Sequence, residues 1–176
     1  TMEEVIYSID NGSAIPDKSI LLTFDDAYSD HYNYVFPILD KYSIQGSFYV
    51  PSKAITEHII LDVNKIHFIL ASVEDKSKLV NELKKLIKAY QKEYNLKDFD
   101  YYYRKLAQAS ALDTKDVIFI KRLLQVELDE VLRIKIVNTL FEKYVGVSEG
   151  AFSRELYMNE EQLKHMLRSG MHIGNH

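Results

Sequence analysis

The sequence predicts a mixed α/β fold whose short strands run parallel. Residues 19–24 and 46–50 are nearly continuous apolar runs, which is typical of buried strands. Between them, apolar side chains recur at helical spacing over residues 29–42. Because a strand, helix and strand of this size join parallel strands, these segments form a βαβ unit.

The first half of this unit has clear boundaries. Residues 11–17 contain Asn-Gly and Pro-Asp and indicate a loop, after which residues 19–24 are expected to be buried on both faces. Pro37 is expected near the start or a kink of the helix. Pro51 closes the second strand.

The middle of the chain is predicted to be helical. Residues 75–94, 114–128 and 130–145 carry apolar positions at helical spacing among many charged residues, and Gly146 is a plausible C-cap. No strand-like run interrupts them. We therefore expect a helical insertion at about residues 52–150, within one domain that covers residues 1–176.

A helix and a short strand are expected at the end of the chain. Asn159 can cap a helix whose apolar face consists of Leu163, Met166 and Leu167. Gly170 ends that helix, and residues 171–173 then form a strand.

Composition excludes several classes of function. The formal charge is −4 with both signs interspersed, so we expect no nucleic-acid partner. No apolar run approaches the roughly 20 residues of a membrane span, and the absence of Cys excludes thiolate metal sites.

Residues 1–4 lack signal-peptide features, so we expect a cytoplasmic protein unless an export segment was removed. Nothing in the composition indicates an oligomeric state.

Two adjacent carboxylates, Asp25 and Asp26, follow the first strand and are the strongest functional signal. Carboxylates at a buried strand end are costly to desolvate, which favours a site that holds a cation or moves a proton. One carboxylate can bind a divalent metal while its neighbour accepts a proton. The alternative is structural, since such carboxylates also cap helices and pair with Lys.

Two histidines near the chain end provide the second signal. His172 and His176 have the spacing of a helical zinc motif, but the intervening Gly174 and Asn175 argue against a helix. His176 is instead expected at the end of the last strand, on the same sheet edge as Asp25 and Asp26. His172 is expected to be a hydrogen-bonded packing residue.

Three segments together resemble the polysaccharide deacetylases of the NodB-homology type: residues 22–30 (LTFDDAYSD), 36–50 (FPILDKYSIQGSFYV) and 158–176 (MNEEQLKHMLRSGMHIGNH). The resemblance implies a distorted (β/α) barrel, of which this chain is the N-terminal part. It also implies a metal-dependent hydrolase acting on a polysaccharide or glycan. In the family motif T-F-D-D-G the first Asp is the general base and the second a metal ligand, which implies these roles for Asp25 and Asp26.

The same resemblance assigns His176 as a further ligand of a divalent metal, most often Zn²⁺. The family's second His ligand, general acid and base-orienting Arg match no residue here, so we expect a fragment that is inactive alone. Ala27 stands where the family has Gly, which implies a strained turn if that position needs positive φ. Tyr28 and His31 are expected to line the substrate cleft.

Other interpretations remain at this stage. Residues 101–103 are three consecutive Tyr that could stack on sugar rings, although some must be packing residues. A phosphoacceptor receiver domain also begins with a strand ending in two acidic residues. Residues 59–63 could be its phosphoacceptor strand, with Asp62 as the phosphoacceptor. A third possibility is a catalytically inactive family member that binds a glycan or a partner protein.

Overall fold

The computed structural model describes residues 1–176, which divide into two compact units. The first unit contains residues 1–60 and 148–176, and the second contains residues 61–147. No helix combines the length and the apolar character that a bilayer span requires.

A three-stranded parallel sheet forms the centre of the first unit. Its strands are β1 (Leu22–Asp25), β2 (Gly46–Val50) and β3 (His172–Asn175), in the order β1–β2–β3. Asp25 is in register with Tyr49, and Tyr49 with Gly174. The predicted mixed α/β class and parallel strands are confirmed. The structure shows a three-stranded sheet and does not show a barrel.

The helices account for most of the remaining chain. In chain order they are α1 (Met2–Asn11), α2 (Phe36–Lys41), α3 (Ser52–Thr56), α4 (Asp62–Ser72), α5 (Lys76–Tyr90), α6 (Phe99–Leu106), α7 (Lys115–Arg122), α8 (Glu130–Tyr144), α9 (Glu149–Leu156) and α10 (Glu160–Arg168). A π-helical turn, His31–Val35, leads into α2, and a second, Leu123–Glu127, extends α7. Pro37 lies in the first turn of α2, as predicted.

The burial expected for the first strand is wrong. Thr23 and Asp25 are exposed whereas Leu22 and Phe24 are partly buried, and Ile20 is 86% exposed. The reason is that only one face of β1 packs on the core. Alternate side chains therefore point to solvent.

One face of the sheet packs against α2 and α10. The buried side chains of this core include Phe36, Leu39, Phe48, Val50, Met158, Met166 and Met171. Asn159 caps α10 through a capping box with Gln162, as the sequence predicts. Leu167 was expected on the apolar face of this helix but is 59% exposed, because Met166 and the partly buried Leu163 already fill the core side.

The second unit is entirely helical and has its own core. The helices predicted at 75–94, 114–128 and 130–145 are present as α5, α7 with its π-helical turn, and α8. Leu79, Leu83 and Ile87 form the buried face of α5. Gly146 follows α8 with a φ of +68°, which is the left-handed conformation expected just beyond a helix C-terminus.

The sequence interpretation missed α1, although the signals are present. Thr1 and Glu4 form a capping box, and Gly12 ends the helix in the left-handed conformation. The start of α1 is attached to the sheet: Gln45 donates a hydrogen bond to Glu3 (2.9 Å), and the other carboxylate oxygen of Glu3 lies 2.9 Å from Nδ1 of His172.

We predict that Ser47→Ala is neutral or raises the free energy of unfolding by about 1 kcal/mol, whereas Ser153→Ala lowers it by about 1–3 kcal/mol. Both serines are buried, but the Ser47 hydroxyl has no hydrogen-bond partner and the Ser153 hydroxyl donates to the carbonyl of Ile59 (3.1 Å). Urea denaturation of the two variants checks this. Equal destabilisation of both would contradict it.

We predict that Ala27→Val lowers the free energy of unfolding by more than about 2 kcal/mol, while Ala27→Gly changes it by less than about 1 kcal/mol. Ala27 is fully buried and has a φ of +55°. A β-branched side chain resists this conformation, whereas Gly relieves it and loses only one buried methyl group. Thermal unfolding compares the three proteins, and a Val variant as stable as the parent would contradict the strain argument.

We predict that Glu3→Gln lowers the melting temperature at neutral pH and that the difference disappears on acidification. Hydrogen bonds from Gln45, which has the larger effect, and from His172 lower the pKa of Glu3 from 4.5 to about 2. The stabilisation by this carboxylate is therefore present above pH 4.5 and is lost as the pH falls toward 2. Because Glu3 is largely exposed, the effect is small. Exposed Glu57→Gln is the control, and a pH-independent difference would refute the prediction.

Candidate active site

The three residues that were predicted to bind a metal or move a proton lie at the carboxyl ends of the strands. They are Asp25, Asp26 and His176. Asp25 is the last residue of β1, and Asp26 begins the turn that follows. His176 directly follows β3, and its backbone N–H donates to the carbonyl of Val50 at 3.1 Å, so it continues the pairing with β2. The parallel register therefore places all three at the same edge of the sheet.

Asp26 and His176 approach each other across this edge. Oδ1 of Asp26 lies 3.4 Å from Nδ1 of His176, and their side chains are 19% and 48% exposed. A contact this exposed contributes at most about 1 kcal/mol to the free energy of unfolding, so stability is a weak reason for the arrangement. No group of three or more His, Asp or Glu side chains is placed to hold a metal ion.

Asp25 points away from the hydrophobic core. Residues in register on parallel strands face the same side, so Asp25 shares a sheet face with Tyr49 and Gly174. Phe24, Phe48 and Ile173 occupy the opposite face and pack in the core. Asp25 is exposed, which leaves its carboxylate accessible to a ligand at the strand ends.

A strained turn directs Asp26 toward β3. Asp26 and Ala27 both have positive φ, +70° and +55°, which a chain rarely adopts at two consecutive non-Gly residues. The turn is held by the segment between α9 and α10: the carbonyl of Ala27 accepts from the N–H of Met158 (2.8 Å), and Tyr28 forms a β-bridge with Tyr157. The strain expected from Ala at the family's Gly position is therefore present.

The structure places His31 and Tyr28 in aromatic packing. The His31 ring lies 5.6–5.9 Å from the rings of Phe24, Tyr28 and Phe48, and its Nδ1 is buried without a hydrogen-bond partner. Burial lowers the pKa of His31, against the opposing influence of Asp30 and of the two site carboxylates. Tyr28 also stacks on Tyr157, with ring centroids 5.9 Å apart. These contacts give both side chains a packing role, and their expected position in the substrate cleft stays a prediction.

The other aromatic and histidine candidates have structural partners. His172 is hydrogen-bonded to Glu3. Tyr102 is 7% exposed, and the Tyr103 hydroxyl donates to Asp116 (2.6 Å), which raises the pKa of Tyr103 to about 12. Tyr101 is 41% exposed. At least two of the three consecutive tyrosines are therefore packing residues.

The receiver-domain interpretation lacks its phosphoacceptor strand. Residues 59–61 form no strand, and Asp62 is the first residue of α4. Its carboxylate pairs with Arg133 at 3.1 Å. A receiver needs this Asp at a strand end beside the acidic pair, so the structure does not favour that alternative.

One residue at this edge was not singled out from the sequence. Tyr49 lies on the same face as Asp25 and next to it in the sheet. Side chains alternate between the two faces of a strand, and residues in register on neighbouring strands share a face. Once the register of β1 and β2 is known, Tyr49 is therefore expected on the same face as Asp25.

The chain is similar in sequence to a known protein family. The sequence profile of the family described as polysaccharide deacetylase matches residues 12–101, which is just over half of the 176 residues. The matched interval contains Asp25, Asp26 and Tyr49, whereas His176 lies beyond it. No curated protein and no solved structure shows significant similarity to the chain. The chain belongs to the polysaccharide deacetylase family.

Proposed function

We propose that this chain is part of a metal-dependent hydrolase that removes N-acetyl or O-acetyl groups from a polysaccharide or glycan. The family match supports a deacetylase function in general. The observation that carries the finer proposal is the meeting of Asp26 and His176, 3.4 Å apart, beside Asp25 at the strand ends.

Asp26 and His176 fit the role of metal ligands. Two donors at typical zinc bond lengths in a tetrahedral site are about 3.3–3.4 Å apart, which agrees with the separation of Oδ1 and Nδ1. A carboxylate and an imidazole suit Zn²⁺ and related divalent ions. When bound, such an ion lowers the pKa of water and polarises a carbonyl group. Two ligands leave positions for another protein ligand, water and substrate.

Asp25 is proposed as the general base. Its carboxylate is exposed on the open face of the sheet and follows β1, so it is positioned by a rigid element. It accepts a proton as the oxygen of a water molecule bonds to the acetyl carbon. The bond from that carbon to the sugar nitrogen or oxygen then breaks, and the leaving atom takes up a proton. The products are acetate and the free amine or hydroxyl.

The sheet is proposed to be part of a distorted (β/α) barrel, in which residues 1–176 form an incomplete NodB-like domain. Neighbouring strands β2 and β3 are separated in sequence by the whole helical unit of residues 61–147. This supports the view that residues at about 52–150 are an insertion between two strands of one sheet. The remaining strands and the third metal ligand would come from outside these residues.

We predict that the full-length gene product releases acetate from acetylated sugar oligomers, and that Asp25→Asn lowers kcat by about 10²–10⁴-fold through loss of the general base. A chelator should abolish the activity and added Zn²⁺ restore it. Acetate release is measured with N-acetylated and O-acetylated oligomers in parallel, which identifies the bond that is cleaved.

The matched control is Asp30→Asn, which should retain full activity, because Asp30 is an exposed aspartate at the start of the π-helical turn that precedes α2. Asp26→Asn and His176→Gln should lower the bound metal content, measured by elemental analysis, while Asp25→Asn should leave it unchanged. Equal activity of the parent protein, the chelated protein and Asp25→Asn would refute the mechanism.

A further inference from the structure

Tyr49 occupies the middle of the proposed site. It lies between Asp25 on β1 and Gly174 on β3, one residue before the end of β2. Because the register places all three on one face, the Tyr49 ring stands between the proposed base and the strand that leads to His176. The proposed hydrolysis does not use this side chain.

The ring of Tyr49 is held across Gly174. A Cβ atom at Gly174 would lie 2.8 Å from Cδ1 and Cε1 of Tyr49, which is closer than packed carbon atoms approach. The ring therefore occupies space that only Gly leaves free. His172 stands edge-on to the same ring, with centroids 6.4 Å apart. These two contacts fix the ring on the sheet face near the strand ends.

Packing alone does not explain the phenol group. Some of the other tyrosines have hydroxyls with protein partners: Tyr32 with His165, Tyr102 with the N–H of Lys97, and Tyr103 with Asp116. The Tyr49 hydroxyl makes no hydrogen bond within the chain, and its half-buried ring faces away from the core formed by Phe48 and Val50. An aromatic surface and a free hydroxyl are thus presented beside Asp25.

We propose that Tyr49 is a substrate-binding residue, whose ring packs against the apolar face of an acetylated sugar and whose hydroxyl bonds to a sugar hydroxyl or acetamide group. Aromatic rings with a few polar groups are typical of ligand sites. Gly174 acts through Tyr49 as a positioning residue. This inference deepens the proposed function and depends on it for the identity of the substrate.

The test compares Tyr49→Leu, Tyr49→Phe and Gly174→Ala in the full-length gene product. We expect Tyr49→Leu to raise KM for the acetylated oligomer by about tenfold or more, with kcat changed much less, because the ring contributes to binding. Tyr49→Phe keeps the ring, so it should raise KM less than Tyr49→Leu does. Gly174→Ala should raise KM as Tyr49→Leu does, because the added Cβ atom displaces the Tyr49 ring. The bound metal content should stay unchanged.

Tyr34→Leu is the matched control, because Tyr34 is 67% exposed in the π-helical turn before α2. Calorimetric binding of the oligomer to Asp25→Asn, with and without Tyr49→Leu, gives a readout that does not require catalysis. Equal binding with and without Tyr49→Leu, or an unchanged KM in folded Tyr49→Leu, would overturn the role of Tyr49. Failure of the parent protein to release acetate would instead overturn the proposed function.

Discussion

The parallel register of β1, β2 and β3 is the constraint on which the candidate site depends. Parallel pairing brings the carboxyl ends of all three strands to one edge, although β1 and β3 are far apart in sequence. The hydrogen bond from the N–H of His176 to the carbonyl of Val50 carries the pairing one residue beyond β3. A register shift of one residue would turn Asp25 into the core and remove Tyr49 from its face.

Local strain at the end of β1 converts this register into a usable geometry. Adjacent residues of a strand face opposite sides, so two neighbouring carboxylates reach one site only if the backbone turns between them. Here the turn uses positive φ at Asp26 and at Ala27, which costs free energy at non-Gly residues. Burial of the Ala27 side chain and the hydrogen bond from the N–H of Met158 to the Ala27 carbonyl offset that cost and hold the turn in place.

The helical unit shows that a sheet tolerates a large interruption between neighbouring strands. The entropy lost on closing a loop grows only slowly with its length, and the second unit has its own buried core around residues such as Leu83 and Leu132. Two contacts define the candidate site: Asp26 with His176, and the ring of Tyr49 with Gly174. Both lie within the first unit. The long connection therefore separates the site residues in sequence and leaves their pairing in the sheet intact.

The sequence by itself determined the local elements and the chemistry they carry. Periodicity, caps and prolines located β2, α5, α8 and α10, and the residue types at two strand ends pointed to Asp25, Asp26 and His176. Only the tertiary structure decided which side chains meet. The exposure of β1, the aromatic packing of His31, the 3.4 Å approach of Asp26 to His176 and the ring of Tyr49 over Gly174 all depend on neighbours distant in sequence. Local patterns report how a segment folds, whereas strand order and register set its neighbours through long-range packing.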